Sequence, residues 1–280
     1  MEPPSRPART TTADSLGTGP GHATHGAGEA LGTLHPVLVL CTQASVFAAT
    51  CYVVAPAAGG PCLVLDPGVG VADGVARLVE AQGLRPVACA ATHGHPDHVW
   101  DAAAVCDRWD VPFYLAGGDL DRLADPARAL GRGMHEGFAA LARSAWTPPQ
   151  DARALPPDVL DLGEGLRLRL LPAPGHTPGS TFFVADGPLA AASVVPPLVS
   201  GRAAAVSAVV FTGDVVFAGS IGRMDLPGGD EATMAATLAQ VLDTLPADAL
   251  LLPGHGPSTT LARERAVNPY LGASRAPWQL

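Results

Sequence analysis

The stretch Thr92-His93-Gly94-His95-Pro96-Asp97-His98 is the most informative part of this sequence, because it points to the chemistry of the chain. Three imidazoles and a carboxylate so close together are unusual as packing, but they are typical ligands of transition-metal ions. His93 and His95 are two residues apart, so an extended backbone turns both rings, and Asp97 after them, to one side. The stretch therefore predicts a site for one or two metal ions.

Strand-like and helical segments alternate on both sides of this cluster. A strand predicted over residues 87–92 runs straight into it, and apolar residues at helical spacing over 99–109 follow it. Upstream, β-prone runs predict strands over 37–41, 47–54 and 62–65. This pattern is compatible with an α/β chain, although it does not fix the fold by itself.

Three later turns each carry one more residue of ligand type at the end of a strand-like run. They are His176 in P-G-H-T-P-G, Asp214 in F-T-G-D and His255 in P-G-H-G-P. Glycine lets the backbone turn tightly, so that the side chain projects off the edge of a sheet. Each turn alone is a weak signal, but together with the cluster they predict one common site.

Composition bounds the class of protein. The chain has 280 residues, 48% of them hydrophobic, which is enough for a sizeable core. Residues 1–33 are rich in Pro, Gly, Ser, Thr and Ala without periodicity, so we predict a disordered tail there and one domain over 34–280. The net charge of −9, without a basic stripe, argues against a nucleic-acid partner.

Cysteine usage and hydropathy bear on the compartment. The 5 cysteines include no C-x-x-C pair and sit mostly in apolar runs, which predicts reduced thiols and a cytoplasmic location. No uninterrupted apolar stretch approaches the roughly 20 residues that a bilayer span needs, so we expect no membrane partner. The sequence indicates no oligomeric state.

Four motifs resemble, in order, the metal-ligand motifs of the metallo-β-lactamase superfamily: H-G-H-P-D-H at 93–98, P-G-H-T-P-G-S at 174–180, F-T-G-D at 211–214 and G-H-G-P at 254–257. The resemblance covers about residues 36–271. Residues 211–230 are similar to the glyoxalase II-like hydrolases, especially short bacterial hydroxyacylglutathione hydrolase-like forms that lack the C-terminal helical domain. The resemblance implies an α/β fold, a four-layer αβ/βα sandwich with the metal site at one edge between two sheets.

The resemblance also implies two divalent metal ions held by seven side chains. One ion would be bound by His93, His95 and His176, the other by Asp97, His98 and His255, with Asp214 bridging them. Asp97 would in addition act in catalysis by orienting the nucleophile or taking its proton. A mixed His/Asp ligand set favours Zn²⁺, with Fe²⁺ and Mn²⁺ as alternatives.

Two further residues stand where the family has functional ones. Asp66 resembles an aspartate that supports a ligand histidine from behind; the alternative is an aspartate that caps the turn before Pro67. Arg223 stands where glutathione-thioester hydrolases place a basic residue that contacts the substrate; the alternative is an ordinary salt bridge. Between His176 and Asp214, the Ala-, Val- and Pro-rich run 188–207 looks like an insertion, either a surface hairpin or part of the site entrance.

The function implied by the resemblance is a dinuclear metal-dependent hydrolase acting on a small-molecule acyl thiol. A metal-bridging hydroxide would attack the carbonyl of the thioester. The chief alternative is a persulfide dioxygenase with one Fe²⁺ on His93, His176 and Asp214. Hydrolysis of a lactone or another acyl compound would use the same metal chemistry. A metal-binding protein without activity is a third class.

Overall fold

The computed structural model describes residues 35–199 and 206–271. The tail predicted over 1–33 lies outside the described residues, as do residues 200–205 of the predicted insertion. No helix in the described ranges is long and apolar enough to cross a membrane. All five cysteines fall within these ranges, and each is a free thiol.

Fourteen strands are formed by the described residues: β1 (Leu38–Gln43), β2 (Thr50–Ala55), β3 (Pro61–Leu65), β4 (Arg85–Ala90), β5 (Phe113–Leu115), β6 (Ala152–Ala154), β7 (Val159–Asp161), β8 (Arg167–Pro172), β9 (Thr181–Asp186), β10 (Ala208–Gly213), β11 (Val216–Phe217), β12 (Ser220–Ile221), β13 (Leu250–Pro253) and β14 (Thr259–Thr260). The α-helices in the same ranges are α1 (Ala72–Ala81), α2 (Pro96–Val99), α3 (Ala102–Trp109), α4 (Arg132–Ala142), α5 (Glu231–Gln240) and α6 (Leu261–Val267). Short 3₁₀ helices cover Gly117–Ala124, Pro126–Leu130 and Leu242–Thr244.

Most strands belong to two mixed sheets of six strands each. The first has the order β1-β2-β3-β4-β5-β6, antiparallel from β1 to β3 and parallel from β3 to β6. The second has the order β14-β13-β10-β9-β8-β7, in which only β10 and β13 pair in parallel. Strands β11 and β12 form a small separate hairpin.

The alternation of side chains along the strands builds three apolar layers. Tyr52 of the first sheet and Phe211 of the second are fully buried between the sheets, with ring centroids 5.1 Å apart. Helices α1 and α3 cover the outer face of the first sheet through residues such as Val75. Helices α5 and α6 cover the outer face of the second through residues such as Met234. The layers are therefore helix, sheet, sheet and helix, as the resemblance implied.

Residues 188–199 of the predicted insertion join the edges of the two sheets. Val37, just before β1, pairs with Leu189, and the Val194 N–H donates to the Val39 carbonyl at 2.9 Å. Further along, Leu198 pairs with Ser258, just before β14. Since these contacts bind the segment to both sheets, it is not a freestanding surface hairpin.

One predicted strand begins later than its sequence suggests. Residues 47–54 were expected to be extended, but β2 begins only at Thr50. Phe47 and Ala48 have φ angles of 57° and 56°, in the left-handed region that ends an extended run. Residues 44–49 thus form a turn between β1 and β2, closed by a hydrogen bond from Ala44 N–H to Ala49 O.

Candidate metal centre

The seven side chains predicted as ligands meet at one edge of the sandwich, beyond the carboxyl ends of several strands. Strand β4 leads into the cluster that begins at His93, and β8 leads into the turn that carries His176. Strand β10 ends directly before Asp214, and β13 ends two residues before His255. The order of strands therefore brings distant parts of the chain to one place.

Three buried histidines form the first group. His95 Nδ1 lies 2.9 Å from His176 Nε2, and the His93 ring centroid lies 4.7 Å and 4.8 Å from those of His95 and His176. One nitrogen from each ring falls within 4.8 Å of the others, a spacing that suits a shared ion. These are the three residues for which the resemblance implies a shared ion.

The second group contains Asp97, His98 and His255. His255 Nε2 lies 3.3 Å from Asp97 Oδ2 and 3.3 Å from His98 Nε2. Asp214 lies between the two groups, with Oδ1 3.4 Å from His98 Nε2 and Oδ2 3.8 Å from His176 Nε2. Its carboxylate therefore reaches ligands of both positions, as a bridging residue must.

Unpaired polar atoms at this edge fit a metal centre. His93 Nε2, His95 Nε2 and Asp214 Oδ1 are buried without a hydrogen-bond partner among the described residues. Buried polar atoms normally have partners because leaving them unpaired costs free energy. Imidazole nitrogens and carboxylate oxygens are the donors that Zn²⁺, Fe²⁺ and Mn²⁺ accept.

A glycine allows the last ligand turn to approach this closely. A Cβ atom on Gly254 would lie 2.3 Å from Asp214 Oδ1 and 2.6 Å from His98 Cε1. Any larger residue would therefore push the turn that carries His255 away from the other ligands. The glycine before His255 is required for space rather than for an unusual backbone angle.

Backbone carbonyls orient two of the ligand rings. His176 Nδ1 donates to the Arg223 carbonyl at 2.7 Å, and His255 Nδ1 donates to the Phe47 carbonyl at 3.0 Å. A proton held on Nδ1 leaves Nε2 free as a ligand atom. Neither contact could be predicted from the sequence, since a carbonyl oxygen is present at every position and leaves no side-chain signal.

The Asp66 carboxylate lies between His98 and Thr92. Its Oδ2 is 3.1 Å from His98 Nδ1, and its carboxylate accepts hydrogen bonds from Thr92 N at 2.6 Å and Thr92 Oγ1 at 2.9 Å. Thr92 Oγ1 in turn lies 3.1 Å from His93 Nδ1. Thr92 was not singled out from the sequence, although its position directly before the first ligand histidine was the available signal.

The electrostatics of the second group favour ionised side chains in the metal-free protein. Burial raises the pKa of Asp214, but His98 and His255 outweigh it and hold this pKa well below its usual range. Burial lowers the pKa of His98, but Asp214 and Asp97 raise it well above the usual value. The pKa of His255 is raised to about 9, because hydrogen bonds to the two carboxylates outweigh burial. In contrast, burial and the neighbouring His176 lower the pKa of His95 to about 3.

Arg223 lies beside the centre but does not point a free cation into it. Its guanidinium donates to both carboxylate oxygens of Asp225, at 2.7 Å and 2.6 Å. The side chain is 61% exposed. The salt bridge that was the alternative prediction is therefore present, and the guanidinium stays accessible from solvent.

Comparison with known proteins agrees with this geometry. The sequence profile of the family described as the Metallo-beta-lactamase superfamily matches residues 44–188. The chain is 35% identical over 211 residues to YqgX of Bacillus subtilis, named a probable metallo-hydrolase, covering 75% of this chain and 87% of that protein. It is 28% identical over 214 residues to GloC of Haemophilus influenzae, named a hydroxyacylglutathione hydrolase, with coverages of 75% and 87%.

Solved structures of similar fold include a metallo-β-lactamase and a di-iron protein. The B3 metallo-β-lactamase BLEG-1 superposes with a TM-score of 0.65 at 28% identity, over 84% of this chain and 99% of that one. The protein TTHA1623, in a di-iron-bound form, superposes with a TM-score of 0.63 at 29% identity, over 83% and 100%. The chain belongs to the metallo-β-lactamase superfamily, and the predicted fold class is confirmed.

Proposed function

We propose that this metal-dependent hydrolase of the metallo-β-lactamase superfamily cleaves the thioester bond of a small acyl-thiol substrate. The observation that carries the proposal is the convergence of all seven His and Asp ligands into two adjoining groups that share Asp214. The thioester is favoured by the glyoxalase II-like sequence over 211–230 and by the 28% identity to GloC.

Two divalent ions, with Zn²⁺ preferred, would be held by the two groups, and such ions lower the pKa of bound water towards neutrality and polarise a carbonyl. Iron remains a candidate because TTHA1623, at 29% identity, has a di-iron-bound form. His255 is the most exposed of the ligands, with 27% of its side chain accessible against 0% for His98. We therefore expect the substrate to reach the centre from the His255 side.

Asp97 is the residue proposed to handle the proton of the nucleophile. Burial raises its pKa, but His98 and His255 outweigh burial and lower it, so the carboxylate is ionised near neutral pH. The ionised carboxylate can orient a water molecule and accept its proton. Its side chain is only 8% exposed, which limits competition from bulk water.

Thiol release from a panel of glutathione and coenzyme A thioesters tests this proposal. The zinc-loaded protein should release free thiol, and Asp97→Asn should lower the rate about 10²- to 10⁴-fold. Asp186→Asn is the matched control, because Asp186 pairs with Arg169 on the surface and should leave the rate unchanged. If no member of the panel yields thiol with the metal-loaded wild type, the thioester assignment is wrong.

The same preparation separates the alternatives. Oxygen uptake with glutathione persulfide, together with one iron per chain by elemental analysis, would support the dioxygenase that uses His93, His176 and Asp214. Two ions per chain with hydrolysis of lactones but not thioesters would instead identify a different acyl hydrolase on the same centre.

A further inference from the structure

Asp119 is a fully buried carboxylate that the proposed mechanism does not use. It lies in the 3₁₀ helix Gly117–Ala124, just after β5, at the same edge of the first sheet as the metal ligands. It was not among the residues predicted from the sequence. Three of its four hydrogen-bond donors lie in the turns that carry ligands, and none is a ligand side chain.

Four donors converge on this carboxylate. Oδ2 accepts hydrogen bonds from Gly94 N at 2.8 Å and Thr177 Oγ1 at 2.7 Å. Oδ1 accepts from Gly179 N at 3.0 Å and Arg122 Nε at 3.0 Å. A carboxylate has about four acceptor sites, so this one is saturated.

The positions of these donors connect the two turns of the first metal position. Gly94 lies between His93 and His95, and Thr177 directly follows His176. One carboxylate therefore fixes the turn that carries two of the three histidines against the turn that carries the third. Charge-assisted hydrogen bonds of this kind are shorter and stronger than neutral ones.

Close packing around Asp119 explains two glycines of the motifs. A Cβ on Gly94 would lie 2.8 Å from Arg122 Cδ and 3.0 Å from Asp119 Cβ. A Cβ on Gly179 would lie 2.6 Å from Asp119 Cγ. Larger residues at either position would separate the turns from the carboxylate that holds them.

Arg122 balances the buried charge and reaches a third loop. Its Nε pairs with Asp119, and its Nη2 donates to the Pro227 carbonyl at 2.9 Å. Its side chain is only 12% exposed. The loop after Arg223, whose carbonyl orients His176, is thus tied to the same network.

We propose that Asp119 is a positioning residue for the ion held by His93, His95 and His176. It acts by fixing the separation of two turns, so that the three ring nitrogens converge before the ion binds. Asp66, by contrast, contacts His98 of the other position directly. The inference rests on the proposed metal centre, but not on the identity of the substrate.

Metal titration of the purified protein tests this role. Metal-free wild type, Asp119→Ala and Asp119→Asn would be titrated with Zn²⁺ against a chromophoric chelator, each also in a His255→Ala background that removes one ligand of the other position. Loss of partners that orient ligands typically costs 10- to 100-fold in affinity, so Asp119→Ala should weaken this position by about that factor. Asp119→Asn should fall between, because its amide keeps one oxygen acceptor and loses the other.

Glu264→Gln is the matched control for a purely structural effect. Glu264 is equally buried and accepts hydrogen bonds from Gly219 N at 2.7 Å and Asn268 Nδ2 at 2.9 Å, outside the turns that carry His93, His95 and His176. The Glu264→Gln variant should lower the melting temperature of the metal-free protein while leaving its zinc affinity within about twofold of that of the wild type.

The inference is overturned if Asp119→Ala binds zinc at the three-histidine position as tightly as the wild type does. It is also overturned if Asp119→Ala and Glu264→Gln lower the melting temperature equally and Asp119→Ala lowers the zinc affinity no more than Glu264→Gln does. A wild type without thioester activity would defeat the proposed function and leave this comparison of affinities intact. If wild type binds a single ion, the affinity for that ion decides, because His93 and His176 serve either metal arrangement.

Discussion

Binding of a divalent ion beside His255 should release a proton at neutral pH. In the metal-free protein, hydrogen bonds to Asp214 and Asp97 outweigh burial and raise the pKa of His255 to about 9. At pH 7, about 99% of the rings are then protonated. Because His255 Nδ1 donates to Phe47, the titrating proton sits on Nε2, the atom that the ion must take.

The size of the effect follows from the difference between the pH and the pKa. Two pH units below a pKa of about 9, competition by the proton lowers the apparent affinity about 100-fold. The affinity for zinc at this position should therefore rise about tenfold per pH unit from pH 7 and level off near pH 9. Any proton also held by His98, whose pKa is raised as well, would steepen the rise.

Calorimetric titration in buffers of different ionisation enthalpy measures the protons released. At pH 7 we expect at least about one proton per chain on zinc binding. His135→Gln is a suitable control, since His135 contacts Asp125 away from the centre and should not change the count. An affinity that stays flat between pH 7 and 9, with no proton released, would refute the electrostatic account of the second group.

Four other outcomes are expected. The free energy of unfolding of the metal-free protein, measured with urea, should fall as the pH rises from about 6.5 to 9. His255 has a higher pKa in the folded than in the unfolded protein, so its protonation stabilises the fold at low pH. Its deprotonation over this range should cost about 3 kcal/mol of unfolding free energy. Constant stability over that range would contradict this. Asp66→Asn should lower the affinity for the ion at His98 about 10- to 100-fold in a chelator competition. An unchanged affinity would mean that Asp66 only caps the turn before Pro67. Arg223→Ala should raise KM for the thioester several-fold. It should change kcat and the melting temperature little, since the side chain is 61% exposed. An unchanged KM would mean that Arg223 forms a salt bridge and does not contact the substrate. Phe211→Ala should cost about 3–5 kcal/mol of unfolding free energy, because the ring is fully buried between the sheets, and a loss below about 1 kcal/mol would mean that the core closes around the gap.

The convergence of the seven candidate ligands could be predicted from the sequence, because metal chemistry restricts such residues to few types at characteristic spacings. One short stretch contains four of them, His93, His95, Asp97 and His98. Each of the later turns has a glycine next to the candidate ligand. Asp119 had no such signal. It lies 25 residues from Gly94 and 58 from Thr177 in sequence, so its contacts exist only after the strands have assembled.

Local propensity failed where a tertiary contact fixed the backbone. Residues 47–49 look extended because Phe47 follows a β-branched residue and precedes a strand, yet Phe47 and Ala48 are left-handed. The Phe47 ring packs against Phe138, with centroids 5.8 Å apart, and its carbonyl faces His255. Both partners are distant in sequence, so no local pattern could have indicated the turn.

Residues 188–199, which we call the clasp because they pair with residues in or beside the outer strands of both sheets, should affect the tendency of this chain to aggregate. Outer strands with unpaired backbone groups can recruit a strand from a second molecule and start intermolecular sheet growth. Here the backbone of Val37 and Val39 is already engaged by the clasp, and so is that of Ser258 beside β14. Shortening the clasp should therefore reveal itself first as lower solubility, before any change in what the centre does.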